Sequence, residues 1–234
     1  MAQRTRKLLP WLLTAISVAA MCGLGFWQLE RMIQKQHRLA SIAQKQSNGS
    51  VSLLTALTHD DPRDIAVTFD GEPDTTHLVF LDNKIQDKRV GYDVIVPVGT
   101  NAGWVLVNYG WVSAPDMQRT LPTIEIDKGL LSFRGIVSVP GINPLITETN
   151  TQSLVFPALV QQIDFADLSQ RLNRDLLPYV IQLTTDDVAF VRDFRPVVMS
   201  PEKHLGYAVQ WFGLAVAAAA IGGFAISKKG RSYE

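Results

Sequence analysis

Two runs without a single charged residue, Leu8 to Trp27 and Leu205 to Ile226, constrain this 234-residue chain more than any other feature. Each is about the 20 residues that an α-helix needs to cross a hydrocarbon core. Two transmembrane helices flanking an intervening domain are the economical expectation. A cleavable signal peptide is the competing reading of the first run, with Ser17, Ala19 and Ala20 as cleavage-site residues. Against it, the run is longer than a usual signal core and passes into a helical pattern instead of a turn. Arg4, Arg6 and Lys7 precede the first run and Lys228, Lys229 and Arg231 follow the second, which predicts that both termini face the cytoplasm.

The formal net charge of zero conceals an asymmetry. Setting aside those six basic residues and Glu234 leaves 16 of 22 basic residues against 21 of 22 acidic ones between the spans. A net acidic domain argues against nucleic acid as a partner. The single cysteine, Cys22, lies within the first span. It can form no intrachain disulfide, and no Cys-x-x-Cys pair is present for copper, zinc or thiol exchange.

Helical spacing continues past the first span through Leu29, Met32, Ile33, Gln36, Leu39 and Ala43, and Ser47-Asn48-Gly49-Ser50 is the expected stop. Ser52 is placed to cap a short turn through Leu57. The period then becomes that of strands, over Ile65–Phe69, Leu78–Leu81, Tyr92–Val98, Trp104–Asn108, Leu130–Val139 and Tyr179–Leu183. A hairpin is expected at Gly99–Gly103, and a helix capped by Asp164 is expected to run through Leu172. The fold class is α+β, with two transmembrane helices flanking a mainly antiparallel β extracytoplasmic domain with small helices. The expected boundaries are a cytoplasmic N-terminus at 1–7, a first transmembrane helix at 8–28, a periplasmic α+β domain at 29–203, a second transmembrane helix at 204–226 and a cytoplasmic C-terminus at 227–234. Within the spans, Ala15, Ala19 and Gly23 form a small-residue stripe, and Ala208, Ala215, Ala218 and Gly222 another. Either could pack on the other span or on an outside membrane partner.

The sharpest chemical feature opens the second span. Ser200 is placed as N-cap, Pro201 at the first helical position and Glu202 in the first turn, so His204 sits at the membrane edge. In a regular helix His204, Tyr207, Ala208 and Trp211 share a face. An apolar boundary and a helix N-terminus both favour the neutral imidazole, which leaves a lone pair for a metal, and Tyr207 and Trp211 could supply a flat apolar wall. The alternative is that His204, Tyr207 and Trp211 are interfacial anchors, and Trp27, which ends the first span with Gln28, carries the same two readings. His37, His59 and His77 are scattered without metal-ligand spacing and read as surface histidines. Gly91 and Tyr92 read as docking or folding residues, the structural role being favoured, and Trp104 and Trp111 as core packing. No acid–base, nucleophile or phosphate-loop pattern is present, so no enzymatic activity is expected.

Several of these stretches together resemble one family. Gly25-Phe26-Trp27-Gln28-Leu29-Glu30-Arg31 is similar to the end of the first span in the Surf1 family (Surf1/Shy1) of cytochrome c oxidase assembly factors. Leu81-Asp82-Asn83-Lys84, Gly91-Tyr92-Asp93-Val94-Ile95-Val96-Pro97 and Val105-Leu106-Val107-Asn108-Tyr109-Gly110-Trp111-Val112 resemble its successive inner blocks. His204-Leu205-Gly206-Tyr207-Ala208-Val209-Gln210-Trp211-Phe212 resembles its C-terminal block. Tyr109 stands where the family usually has Arg, and Lys84 where bacterial members often have Arg. The resemblance implies a bacterial inner-membrane member, since no Arg- and Ser-rich segment precedes the first span. It further implies binding of haem a and its insertion into oxidase subunit I. His204 would be the iron ligand, and Tyr207, Trp211, Trp27 and Gln28 would lie at the haem. Expected partners are subunit I, the haem a synthesis machinery and membrane lipid. A haem-independent scaffold for a subunit I intermediate remains the alternative, with a membrane-anchored periplasmic enzyme a more distant third.

Overall fold

The computed structural model describes residues 2–47, 49–116, 118–146, 155–197 and 199–231, with the backbone alone at 2–8 and 226–231. Asn48 of the expected helix stop, the side chains of the basic flanks, and Glu234 thus lie outside the described residues. The chain divides into two compact units, Met1–Ser41 with Arg195–Glu234, and Ile42–Phe194.

The first unit is a pair of antiparallel helices, α1 (Ala2–Ser47) and α4 (Pro201–Arg231). Both are long and apolar enough to cross a membrane, α1 from Leu9 onward and α4 over Pro201–Ala225. As the continuing apolar period predicts, α1 does not stop at the membrane edge but runs on to Ser47. Close approach is made possible by glycine. A Cβ at Gly25 would lie 2.7 Å from the Phe212 ring, and one at Gly222 would lie 2.5 Å from the Thr14 side chain. On α4 the buried stripe contains His204, Ala208 and Ala215, with Ala218 and Gly222 half-buried. On α1 the inward face is Thr14, Val18, Gly25 and Gln28, whereas Ala15, Ala19 and Gly23 are exposed. The small-residue stripe of the first span is therefore not what packs on the second. Hydrocarbon does not penalise an exposed Ala or Gly, so small side chains alone do not say which face is covered.

The second unit is built from β1 (Val51–Ser52), α2 (Leu53–Ala56), β2 (Ala66–Pro73), β3 (Val79–Gln86), β4 (Arg89–Thr100), β5 (Gly103–Ser113), β6 (Leu131–Ser138), β7 (Ala158–Val160), α3 (Phe165–Leu172) and β8 (Leu176–Leu183). The strands form one sheet in the order β1-β2-β6-β8-β5-β4-β3-β7, and β2 also pairs with β4. That extra pairing, Gly71 with Thr100 through Pro73 with Val98, closes β2, β6, β8, β5 and β4 into a five-stranded barrel. Five pairings are antiparallel. β1–β2, β3–β7 and the internal β5–β8 are parallel.

Side-chain alternation separates two cores. Val67, Phe69, Val94, Val96, Val98, Val105, Val107, Phe133, Val137 and Ile181 fill the barrel. The intervening Ile95, Leu106 and Val180 point outward and meet Leu168 and Leu172 of α3. This is why β4 and β5 are apolar at nearly every position: both of their faces are buried. The caps are as the residue types predict. Ser52 accepts from Thr55 N–H ahead of α2, and Asp164 accepts from the Ala166 and Asp167 N–H groups ahead of α3.

Candidate functional site

His204 is only 7% exposed. Its Nδ1 lies 2.7 Å from Oε1 of Gln28 on α1, 176 positions away in the chain. An amide oxygen only accepts, so Nδ1 donates and carries the proton. The other ring nitrogen, Nε2, is buried and has no hydrogen-bond partner. A buried acceptor left unpaired costs on the order of 1–3 kcal/mol, so this lone pair needs a functional or packing reason.

The remaining residues expected here are distributed unevenly. Ala208 is buried beside His204 and Trp211 is half-buried, but Tyr207 is 44% exposed. At about 100° per residue, position 207 falls about 60° to one side of His204, while 208, 211 and 215 cluster within about 40° of it. Tyr207 flanks the stripe. Trp27 is 47% exposed, and the Arg31 guanidinium lies 5.5 Å from its ring centre. Phe212 packs edge-on to Phe26, with ring centres 5.2 Å apart. The structure thus joins His204 to Gln28 directly and leaves Tyr207 and Trp27 on the open sides of their helices.

A second cluster lies on the outer face of the barrel, where three of the resembling blocks converge. In the β4–β5 ladder Val94 pairs with Gly110 and Ile95 with Asn108, so Tyr109 is the extra residue of a β-bulge. Gly110 takes φ +124°, and its N–H donates to Asn108 Oδ1 at 2.8 Å. The bulge reverses the alternation: Val105, Val107 and Tyr109 point into the barrel, then Val112 does, and Trp111 is turned outward. Its indole covers Gly91, where a Cβ would come within 2.5 Å of the ring, and its Nε1 donates to the Lys84 carbonyl at 3.3 Å. Lys84 pairs with Asp93 at 3.3 Å, and Asn108 donates to the same carboxylate. Gly91 is thus occupied by its neighbour, Tyr92 is 1% exposed within the barrel core, and Trp111 is 6% exposed. Trp104 is only half-buried, beneath the Arg174 guanidinium, which lies 3.8 Å from its ring centre.

Tyr109 projects among Phe133 and Phe190, its hydroxyl buried and without a hydrogen-bond partner. Burial, with a small addition from Asp127 and against the pull of Arg192, pushes it up to about 12. A guanidinium nevertheless reaches this point of the backbone. Arg192 Nε donates to the Tyr109 carbonyl at 2.7 Å, while its other nitrogens hold Thr185 and Asp187. Sequence reasoning missed Arg192. Its signal is spatial and lies in the return of the chain, where Trp111 and Val191 exchange backbone hydrogen bonds.

His77, expected on the surface, is tied down: Nδ1 sits 2.8 Å from Asp74 Oδ2 and the ring packs edge-on to Phe156. Among the described residues no group of three or more His, Cys, Asp or Glu side chains is placed to hold a metal ion.

A SURF1-like protein from Rickettsia felis is 23% identical over 213 residues, covering 88% of this chain and 91% of that protein. The model of the SURF1 family matches residues 15–216, from within α1 to within α4, and so takes in part of each long helix and the whole barrel. The chain therefore belongs to the SURF1 family, which is linked to cytochrome c oxidase assembly.

Proposed function

We propose that the protein is a non-enzymatic assembly factor that binds haem a and aids its insertion into cytochrome c oxidase subunit I, with His204 as the residue that would hold the iron. The observation that carries this reading is the buried Nε2 without a partner, on a ring whose Nδ1 is held by Gln28. The donor chemistry fits. His204 would hold the iron through Nε2, the imidazole nitrogen supplying the lone pair. Gln28 keeps the ring in the required tautomer, and Trp211, with Tyr207 and Trp27 at the flanks, supplies aromatic surface at the same end of the helix pair. Because Nε2 is covered, packing over the ring must open for loading, which suits a carrier that must also release.

The basic flanks support an arrangement in a bacterial inner membrane with both termini cytoplasmic and the barrel on the opposite side. Lipid, subunit I and the haem a synthesis machinery are the partners this reading requires.

The test is coexpression with haem a synthesis, followed by absorption spectra of the purified protein and of His204→Ala. Loss of haem in the variant is expected; equal haem in both refutes the ligand role. A haem-independent scaffold for subunit I is the second reading. It is favoured by the exposed Ala15, Ala19 and Gly23 on α1, where no atom comes within 4 Å of a Cβ built at Gly23. Absence of haem from both proteins, with subunit I still copurifying, would select it.

A further inference from the structure

We infer that Gln28 is the positioning residue of His204: it selects the tautomer that presents Nε2 as a donor and, as a neutral amide, keeps that donor weak enough for release. This deepens the reading of His204 as an iron ligand and rests on it.

A neutral imidazole carries one proton, and the group facing one nitrogen decides which nitrogen keeps it. Here Nδ1 faces an amide oxygen at 2.7 Å, so the proton is fixed on Nδ1 and the lone pair on Nε2 before any iron arrives. The helices are brought close enough for this bond by Gly25, three residues before Gln28 on the same face, whose missing Cβ leaves room for the Phe212 ring. A glutamine also has the reach to cross to α4 from its half-buried position.

The chemical identity of the acceptor matters as much as its place. An acceptor on the second ring nitrogen raises the basicity of the ligating one, and a carboxylate does so more strongly than an amide. A protein that had only to keep its iron would be better served by glutamate here. Glutamine gives the same orientation with less electron donation, which is what transfer to another protein requires. The position therefore separates orientation from binding strength, and the two can be altered independently.

The experiment uses the full chain in nanodiscs, with 15N-labelled histidine assigned by comparison with His204→Ala, and haemin as the probe. In the metal-free wild type, NMR should show a single His204 tautomer with the proton on Nδ1. Gln28→Leu should lose that preference and bind haemin about 10–100-fold more weakly, the usual loss when such a partner is removed. Gln28→Glu should keep the proton on Nδ1, bind haemin more tightly, shift its reduction midpoint downward and slow its transfer to apomyoglobin. A wild-type proton on Nε2, or a Gln28→Leu protein with an unchanged tautomer, overturns the assignment of the tautomer to Gln28. Faster transfer from Gln28→Glu than from the wild type overturns the claim that the neutral amide favours release. Haemin bound equally by His204→Ala and wild type refutes the ligand reading instead, and the tautomer spectra of the metal-free protein still judge Gln28 by themselves.

Discussion

Replacing Gly91 by alanine tests whether the convergence of three sequence blocks on the barrel surface, through Lys84, Gly91 and Trp111, is a packing device. A Cβ at this position would stand 2.1 Å from the Val112 carbonyl oxygen and 2.5 Å and 2.6 Å from two atoms of the Trp111 indole. Ordinary carbon–oxygen contact is about 3.3 Å, so one strand or the other must yield by about 1 Å. Overpacking of this kind costs about 1–3 kcal/mol. Displacing the indole also breaks the Trp111 Nε1 bond to the Lys84 carbonyl, which contributes about 1 kcal/mol more. Against this, alanine restricts the unfolded chain and returns about 0.4–1 kcal/mol. The steric cost wins, and a net loss of about 1–3.6 kcal/mol is expected. The assay is urea unfolding of the detergent-solubilised chain followed by the far-ultraviolet signal of the barrel. Gly141→Ala, where nothing lies within 4 Å of the added carbon, serves as the control. A Gly91→Ala protein within about 0.5 kcal/mol of wild type would refute the packing account and turn attention to Gly91 as a contact for a partner.

Tyr109→Phe removes a buried hydroxyl that has no partner, so stability should be unchanged or rise by up to about 1 kcal/mol at pH 7. The same variant should flatten the alkaline limb of the stability curve. With the native phenol raised from 10.0 to about 12, its contribution is complete below pH 10 and is lost as pH rises toward 12, because the unfolded chain releases that proton first. Asp74 is the opposite case. Burial alone would raise it, but hydrogen bonds from Thr76 and His77 win and hold it below the usual 3.8, so stability is lost as pH falls through that range. In Asp74→Asn the acid-dependent part should be missing from a pH series of urea midpoints. Asp164→Ala leaves the first N–H groups of α3 uncapped and should cost about 1 kcal/mol in the same unfolding assay. Gly25→Val would force the Phe212 ring away and lengthen the Gln28–His204 bond, so the single His204 tautomer expected by NMR should become a mixture.

Much of the fold was legible because local signals and burial agreed. The charge-free runs marked α1 and α4, the N-caps marked α2 and α3, and the glycine-flanked valine runs marked the β4–β5 hairpin. What was not legible is set by long-range pairing. Closure of the barrel depends on three residues of β2 meeting the end of β4, and β5 pairs in parallel with β8 across more than 60 residues of intervening chain. β1 and β7 are two and three residues long, too short to show any period. Their strand character comes entirely from the neighbour that each one joins. The bulge at Tyr109 is an intermediate case. Asn108 and Gly110 around it are suitable residues for an irregular backbone, but only the pairing register reveals that Trp111 is thereby turned from the barrel interior onto Gly91.

At the candidate site the sequence located the histidine but not the property that makes it chemically distinctive. Counting along a helix places His204, Ala208 and Trp211 together, and it also admits Tyr207, because a face defined by spacing has no measured centre. Only the packing partner supplies that centre, and here it lies nearer to the line from His204 through Ala208 to Ala215. Likewise, depth alone put Trp27 and Gln28 level with the histidine, but adjacent residues on a helix point about 100° apart and cannot both face α4. The bond chooses Gln28. The anchor reading of His204 places no demand on a second helix, whereas here one ring nitrogen is bonded to Gln28 of α1 and the other is buried without a partner. The chemistry is therefore a property of the helix pair, and any change that moves α1 against α4, such as Gly25→Val, should alter the imidazole without touching it.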